Sequence, residues 1–252
     1  MCELLVLAAP SPFPLGPALQ QAVGLEAAGE AGHGWGVAWL PALGSPLRLH
    51  KRPRALTGDP SAADLADEYA VLALIHLRMP TDMSTVGMPD TQPFQHETSD
   101  HAFAHNGYLA RHDEWRDRYS AELLGRADSE VGFAVFRALH PELGTQGALR
   151  RMFEDLAGDG FANLVVLDRS GEATIYCANH TNHIYALSQH NTQGVPGTRQ
   201  QGFTTSLHKT DAVLARAALA PIFPDAQLTQ VPLGEIRTIS VAPLDADVEG
   251  AA

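Results

Sequence analysis

The segment "VLALIHLR", Val71 to Arg78, sets the strongest limit on what this chain can fold into, because it is apolar almost throughout until it ends at an arginine. That is the pattern of a central strand with a charge at its mouth. The neighbouring segments are read around it. "CELLVLAA", Cys2 to Ala9, is a second short apolar run, a buried strand that Pro10 is expected to stop. A Pro/Gly-rich loop follows, with a short helix near Gln20 to Gly29. "GWGVAWLP" and "PLRLHKR" form a hairpin candidate across "ALGS". In "DPSAADLADEYA", Asp59 is placed as an N-cap with Pro60 at the first helical position, and Ala62, Leu65, Ala66 and Tyr69 follow helical spacing. "HAFAHNGYL" reads as a short strand ending in Asn106-Gly107, a pair that favours a tight turn.

"DSEVGFAVFRALH" and "TQGALRRMFEDLAG" are expected as consecutive helices, the second carrying Leu149, Met152, Phe153 and Leu156 on one face and stopping at Gly158. "ANLVVLD", "ATIYCAN" and "HIYALSQ" then read as three strands in antiparallel succession. "GFTTSL" adds a strand, "TDAVLARAALA" a helix and "EIRTISVA" a final strand. Strands, two helices and more strands, without regular βαβ alternation, predict an α+β arrangement of sheets sandwiched with helices. At 252 residues the chain suits one compact domain, expected over residues 1–245 with 246–252 as a fraying tail.

Charge narrows the partners. Twenty-nine acidic residues against 17 basic ones give a formal net charge of −12, which repels polyanions, so neither nucleic acid nor an acidic membrane is expected as partner. The basic cluster "RLHKRPR", Arg48 to Arg54, is read as a solvated turn. No apolar run approaches the roughly 20 residues of a membrane helix, and the N-terminus lacks the pattern of a signal peptide, so the expected location is cytoplasmic. In that compartment Cys2 and Cys177 are expected as free thiols. "NHTNH", with His180 and His183, supplies no complete ligand set, and no metal is expected.

Four short motifs can carry chemistry. Removal of an initiator methionine requires a small second residue, and cysteine is small. Freed in this way, Cys2 would hold a thiol of pKa about 8.5 and an α-amine of about 7.7–8.0 in one residue, a nucleophile with its own base; the alternative is a small buried hydrophobe in a strand. In "HLRMPT", Arg78 is well placed to grip a carboxylate with two parallel hydrogen bonds, or is a surface ion-pair residue. In "AHNG", the Asn106 side-chain N–H and the Gly107 backbone N–H can converge on one oxygen as an oxyanion hole, or form only a turn. In "DSE", Asp128 begins a helix, where it serves as an N-cap, binds a cationic group, or does both.

Taken in order, "MC", "GHGWGVAW", "HLRMPT", "TQPF", "AHNG" and "DSE" resemble the class II glutamine amidotransferase domain of the N-terminal-nucleophile hydrolase superfamily, and most closely its small stand-alone members. The resemblance runs from Cys2 to about Leu207. It implies a four-layer αββα sandwich, two mostly antiparallel sheets between helix layers. It implies Cys2 as nucleophile on the γ-carboxamide of a glutamine-like substrate, Asn106 and Gly107 as the oxyanion hole, Arg78 on the substrate α-carboxylate, Asp128 on its α-ammonium, and Thr81 assisting near the carboxylate. A γ-glutamyl thioester would form, release ammonia or an amine, and be hydrolysed, with no cofactor. Pro80 and Asp82 depart from many relatives, and a carboxylate at Asp82 is expected to weaken glutamine affinity or alter specificity. His33 and Trp35 either line the pocket mouth or are structural. The competing readings are a glutaminase subunit that feeds ammonia to a separate synthase and a non-catalytic or metal-binding module on the same fold.

Overall fold

The computed structural model describes residues 1–29, 31–190 and 199–241. Its elements are β1 (Glu3–Pro14), α1 (Leu15–Gly29), β2 (Trp35–Leu40), β3 (Arg48–Arg52), α2 (Ser61–Asp64), β4 (Tyr69–Leu77), β5 (Phe94–Gln95), β6 (His101–Tyr108), α3 (His112–Tyr119), α4 (Asp128–Leu156), β7 (Phe161–Asp168), β8 (Glu172–Ala178), β9 (Ile184–His190), β10 (Arg199–Thr205), α5 (Ala212–Leu219), β11 (Gln227–Gln230) and β12 (Ile236–Ser240). They build two antiparallel sheets, one ordered β11-β9-β10-β1-β4-β2-β3 and the other β12-β8-β7-β6-β5.

The apolar runs are explained by what covers each face. On β1, Leu5 and Leu7 face a core shared with Leu15, Leu19 and Leu25 of α1, while Leu4 and Val6 face the second sheet. On β4, Ala73 and Ile75 join the helix side and Leu72 and Leu74 the sheet side. A strand buried on both faces has no polar side to show, so its sequence does not alternate. Between the sheets, Leu4, Val6 and Leu74 pack with Ala104, Val165 and Ile175. Beyond the second sheet, Phe103, Leu164 and Val166 meet Val131, Phe136, Leu149 and Met152 of α4. The result is helix, sheet, sheet, helix, the α+β sandwich expected.

Several local expectations need correction. Pro10 does not stop β1, which runs on to Pro14 with a register shift between Ala8 and Phe13 against β4; proline is tolerated where the ladder is already interrupted. The helix expected from Asp59 to Tyr69 is one turn, α2, because Tyr69 already belongs to β4. Asn106-Gly107 is not a turn but continues β6 opposite Asn163 and Ala162 of β7. β7 and β8 pair as expected, whereas β9 crosses to the first sheet beside β10 and β11. The basic cluster begins as the edge strand β3, not a turn. The consecutive helices are present within α4, broken where Gly144 takes φ 64° and ψ 177°. α3, β5 and β11 had no clear sequence signal. The tail, 246–252, lies outside the described residues.

Candidate active site

The register brings three motifs to one end of the sandwich. Glu3 of β1 lies opposite Leu77 of β4, so Cys2 and Arg78 are carried just beyond the same edge of the first sheet. The Arg78 amide donates to Gly34 O (2.7 Å), tying the end of β4 to the start of β2. β6 of the second sheet ends alongside, and Asn106 Nδ2 donates to the carbonyl of Cys2. A cavity of about 670 Å³ opens here, lined among others by Cys2, Arg78, Thr81, Gly107 and Asp128. Five of the six residues singled out in the sequence thus share one cavity, and the sixth, Asn106, touches Cys2 from behind it.

The Cys2 thiol accepts from the Met79 amide (3.4 Å) and points its hydrogen at Met79 O (3.6 Å). Burial pushes its pKa up to about 11, against the opposing pull of the Met79 amide, the amino terminus and Arg78. While the Cys2 nitrogen remains in a peptide bond, the thiol therefore keeps its proton at neutral pH. A nearby base is needed to make it a nucleophile.

Arg78 is buried, and burial lowers its pKa without removing its charge. Its Nη2 donates to Thr85 Oγ1 (2.6 Å) and its Nη1 to Thr85 O. The threonine that fixes this guanidinium is therefore Thr85, whereas Thr81 is exposed at the cavity rim. Asp82 lines the same cavity as Arg78, and its carboxylate caps the turn Met83–Thr85, accepting from the Ser84 amide (2.8 Å) and hydroxyl (2.7 Å). Arg126 Nη2 in turn donates to Ser84 O (2.9 Å), linking this turn to the segment before α4.

Asp128 opens α4, but Ala127 occupies the N-cap position. The Asp128 carboxylate accepts instead from the Leu109 amide (2.8 Å) and the Ser129 amide (2.8 Å), and its Oδ2 lies 3.6 Å from Nε2 of the buried His105. Burial holds His105 below its usual pKa, although the Asp128 charge opposes this. Asp90 accepts from the amides of Arg126 and Ala127 (2.6 Å each), fixing the approach to Asp128.

The Asn106 amide is oriented by an asparagine network that sequence reading missed. Its Oδ1 accepts from Asn179 Nδ2 (2.9 Å) and Asn163 Nδ2 (3.4 Å), which leaves Nδ2 aimed at Cys2. Asn163 also donates to Asn182 O (2.7 Å), and Asn182 Nδ2 approaches Cys2 O (3.4 Å). All four asparagines are fully buried. Asn163, a lone amide inside an apolar strand, is the signal the sequence offers; Asn179 and Asn182 lie in the connection between β8 and β9. Gly107 has φ 145°, and a Cβ there would fall 1.9 Å from Phe161 O, so no side chain fits at this position.

Trp35 is fully buried and donates to Asp59 Oδ2 (3.0 Å). Cys177 is buried in the core, and both thiols are free. Among the described residues, no group of three or more His, Cys, Asp or Glu could hold a metal ion, and no helix is long and apolar enough to cross a membrane.

The family model of glutamine amidotransferases class-II matches residues 1–236. The chain belongs to that family. Its fold is the N-terminal-nucleophile hydrolase type, as in three solved structures. Glutamine phosphoribosylpyrophosphate amidotransferase from B. subtilis is 14% identical with a TM-score of 0.65, the alignment covering 95% of this chain and 47% of that one. A glutamine aminotransferase class-II domain protein from Silicibacter pomeroyi is 19% identical, TM-score 0.61, with 95% of each chain covered. A predicted glutamine amidotransferase from Pseudomonas aeruginosa is 17% identical, TM-score 0.54, with 95% and 98% covered. The chain thus spans about half the length of the first and nearly all of the other two. A search of curated proteins found no match.

Proposed function

We propose that this chain, as a single domain over residues 1–245, hydrolyses the γ-amide of glutamine or a γ-glutamyl compound through a thioester on Cys2. The carrying observation is the convergence at one cavity of the Cys2 thiol with a cation, Arg78, and an anion, Asp128. An amino-acid end bears one charge of each sign, and this pair offers one complement to each. Removal of Met1 frees the α-amine, which takes the thiol proton as sulfur attacks the γ-carbonyl. Asn106 Nδ2 and the Gly107 N–H receive the developing oxyanion, and the ammonium returns the proton to the leaving nitrogen. Water then hydrolyses the thioester. Arg78, held by Thr85, takes the α-carboxylate; Asp128 takes the α-ammonium; Thr81 stands at the rim on the carboxylate side. No cofactor enters the cycle.

The test is glutamate release from glutamine and from a panel of γ-glutamyl amides and peptides. One γ-glutamyl compound turned over far faster than glutamine marks an independent hydrolase. Slow glutaminase activity, raised by an added synthase, marks an ammonia-supplying subunit. No glutamate from any member of the panel refutes the proposal.

A further inference from the structure

Among the described residues, two that are not glycine adopt a left-handed backbone, and they are adjacent: Leu207 (φ 55°) and His208 (φ 59°). A bulky residue stays in that region only where its surroundings hold it, and such outliers gather at functional sites. Here the holder is Asn182, whose Oδ1 accepts from the Ser206 amide (3.0 Å), the Ser206 hydroxyl (3.0 Å) and the His208 amide (3.2 Å). Leu207 is buried in the core below α1. What the turn delivers is the His208 ring, with Nε2 3.3 Å from Met1 O and 3.4 Å from Glu3 Oε1. The Met1 carbonyl oxygen can only accept, so this nitrogen carries the hydrogen. That carbonyl is bonded through its carbon to the Cys2 nitrogen, so the ring stands beside the atom that would become the base.

Glu3 is a fully buried carboxyl that the thioester chemistry does not employ. Asn182 Nδ2 donates to its two oxygens (3.4 and 3.3 Å), and Thr205 Oγ1 donates to Oε2. Burial pushes its pKa up to about 8, opposed by Thr205, Asn182 and the amino terminus. The positive amino terminus already pulls this value down, and an ammonium on Cys2 itself would pull the same way, toward the carboxylate.

We propose that Glu3 and His208 are positioning residues for the freed amine: with Met1 gone, the Glu3 carboxylate, fixed by His208, Asn182 and Thr205, accepts one amine N–H and turns the lone pair toward the thiol. This rests on the reading of Cys2 as nucleophile and its α-amine as base. The thiol proton passes to the amine as the C–S bond forms and to the leaving nitrogen as the C–N bond breaks; Glu3 neither gains nor loses a proton over the cycle. The titratable and charged groups around the amine are the Cys2 thiol, Glu3 on β1, Arg78 at the end of β4 and His208 after β10. Arg78 and a protonated His208 disfavour the ammonium, and Glu3 favours it.

The experiment compares wild type, Cys2→Ala, Glu3→Gln and His208→Asn, all with Met1 removal verified by intact mass, by glutamate release from glutamine across about pH 6 to 10. Glutamine matches glutamate in size, and asparagine tolerates a left-handed backbone. In Glu3→Gln the acid limb of kcat/KM moves to lower pH by about one unit with KM unchanged, because a neutral amide no longer favours the ammonium. In His208→Asn, kcat falls about tenfold at unchanged KM, the loss expected when a proton-transfer geometry loosens. An acid limb in Glu3→Gln that superimposes on wild type overturns the assignment of Glu3, and unchanged kcat in His208→Asn overturns that of His208. Glutamate release by Cys2→Ala instead overturns the underlying reading of Cys2.

Discussion

Replacing Asn106 by aspartate changes one atom of its side chain and separates two jobs that the amide performs. Oδ1 accepts from Asn179 (2.9 Å) and Asn163 (3.4 Å), and aspartate keeps that acceptor. Nδ2, aimed at Cys2, becomes an oxygen, which in the ionised carboxylate only accepts. Loss of one oxyanion donor costs about 2.7–4 kcal/mol at the transition state, so Asn106→Asp should lower kcat by about 10²–10³ with little change in KM. Asn106→Ala loses both jobs. It also takes one partner each from Asn163 and Asn179, which retain bonds to Asn182 O (2.7 Å) and Asn106 O (3.1 Å). At about 1 kcal/mol for each of the three lost bonds, the one to the Cys2 carbonyl included, the alanine variant is destabilised by about 3 kcal/mol, a fall in Tm of roughly 6–12 °C for a chain of this size. Steady-state glutamate release and calorimetry on the two variants separate the effects. An aspartate variant with kcat within about threefold of wild type would refute the oxyanion assignment, because an ionised carboxylate has no hydrogen to give the oxyanion.

Two further outcomes follow from single contacts. Thr85→Val keeps the shape of a buried side chain but removes the hydroxyl that receives Arg78 Nη2 at 2.6 Å; a hydrogen bond to a charged group contributes about 1.5–3 kcal/mol, so KM for a substrate with a free α-carboxylate should rise about tenfold or more, and an unchanged KM would show that Arg78 needs no such support. Asp168 is held down at about 2: burial raises it, but His101 and Ser170 outweigh burial. Its folded pKa lies below the unfolded value, so its contribution of about 1–2 kcal/mol is present above pH 4 and lost as pH falls through 2. Asp168→Asn should therefore cost stability in urea unfolding at pH 7, with a gap to wild type that narrows on acidification, and a gap independent of pH would refute the linkage.

The legibility of this chain followed how far each signal depends on neighbours. β1 and β4 read clearly because burial on both faces leaves a continuous apolar run, and the core positions Leu4 to Leu7 and Leu72 to Ile75 fell out of it. Asn106-Gly107 misled because the same dipeptide serves a turn or a strand end, and only pairing with Asn163 and Ala162 decides which. β9 was placed beside β8 by chain order, whereas its partners are chosen by the central core. An ordered set of motifs singles out Cys2, Arg78, Thr81, Asn106, Gly107 and Asp128, and all of these but Asn106 line the cavity. Thr85, Asn163, Asn179 and Asn182 are not singled out, since each acts through a contact made only after folding, and a polar residue in a turn carries no sequence mark of that contact. Asp82 stands in the cavity lining with Arg78, as its place in the sequence suggests, while the cap its carboxylate makes on Ser84 has no mark in the sequence.

The central claim is that Cys2 becomes an N-terminal nucleophile. Its most direct test is intact mass spectrometry of the purified chain, rapidly acid-quenched during turnover of the best γ-glutamyl substrate. The account expects a chain without Met1 that carries one γ-glutamyl group, removable by hydroxylamine and absent from Cys2→Ala. Glutamate release by chains that retain Met1, or by Cys2→Ala, would contradict it.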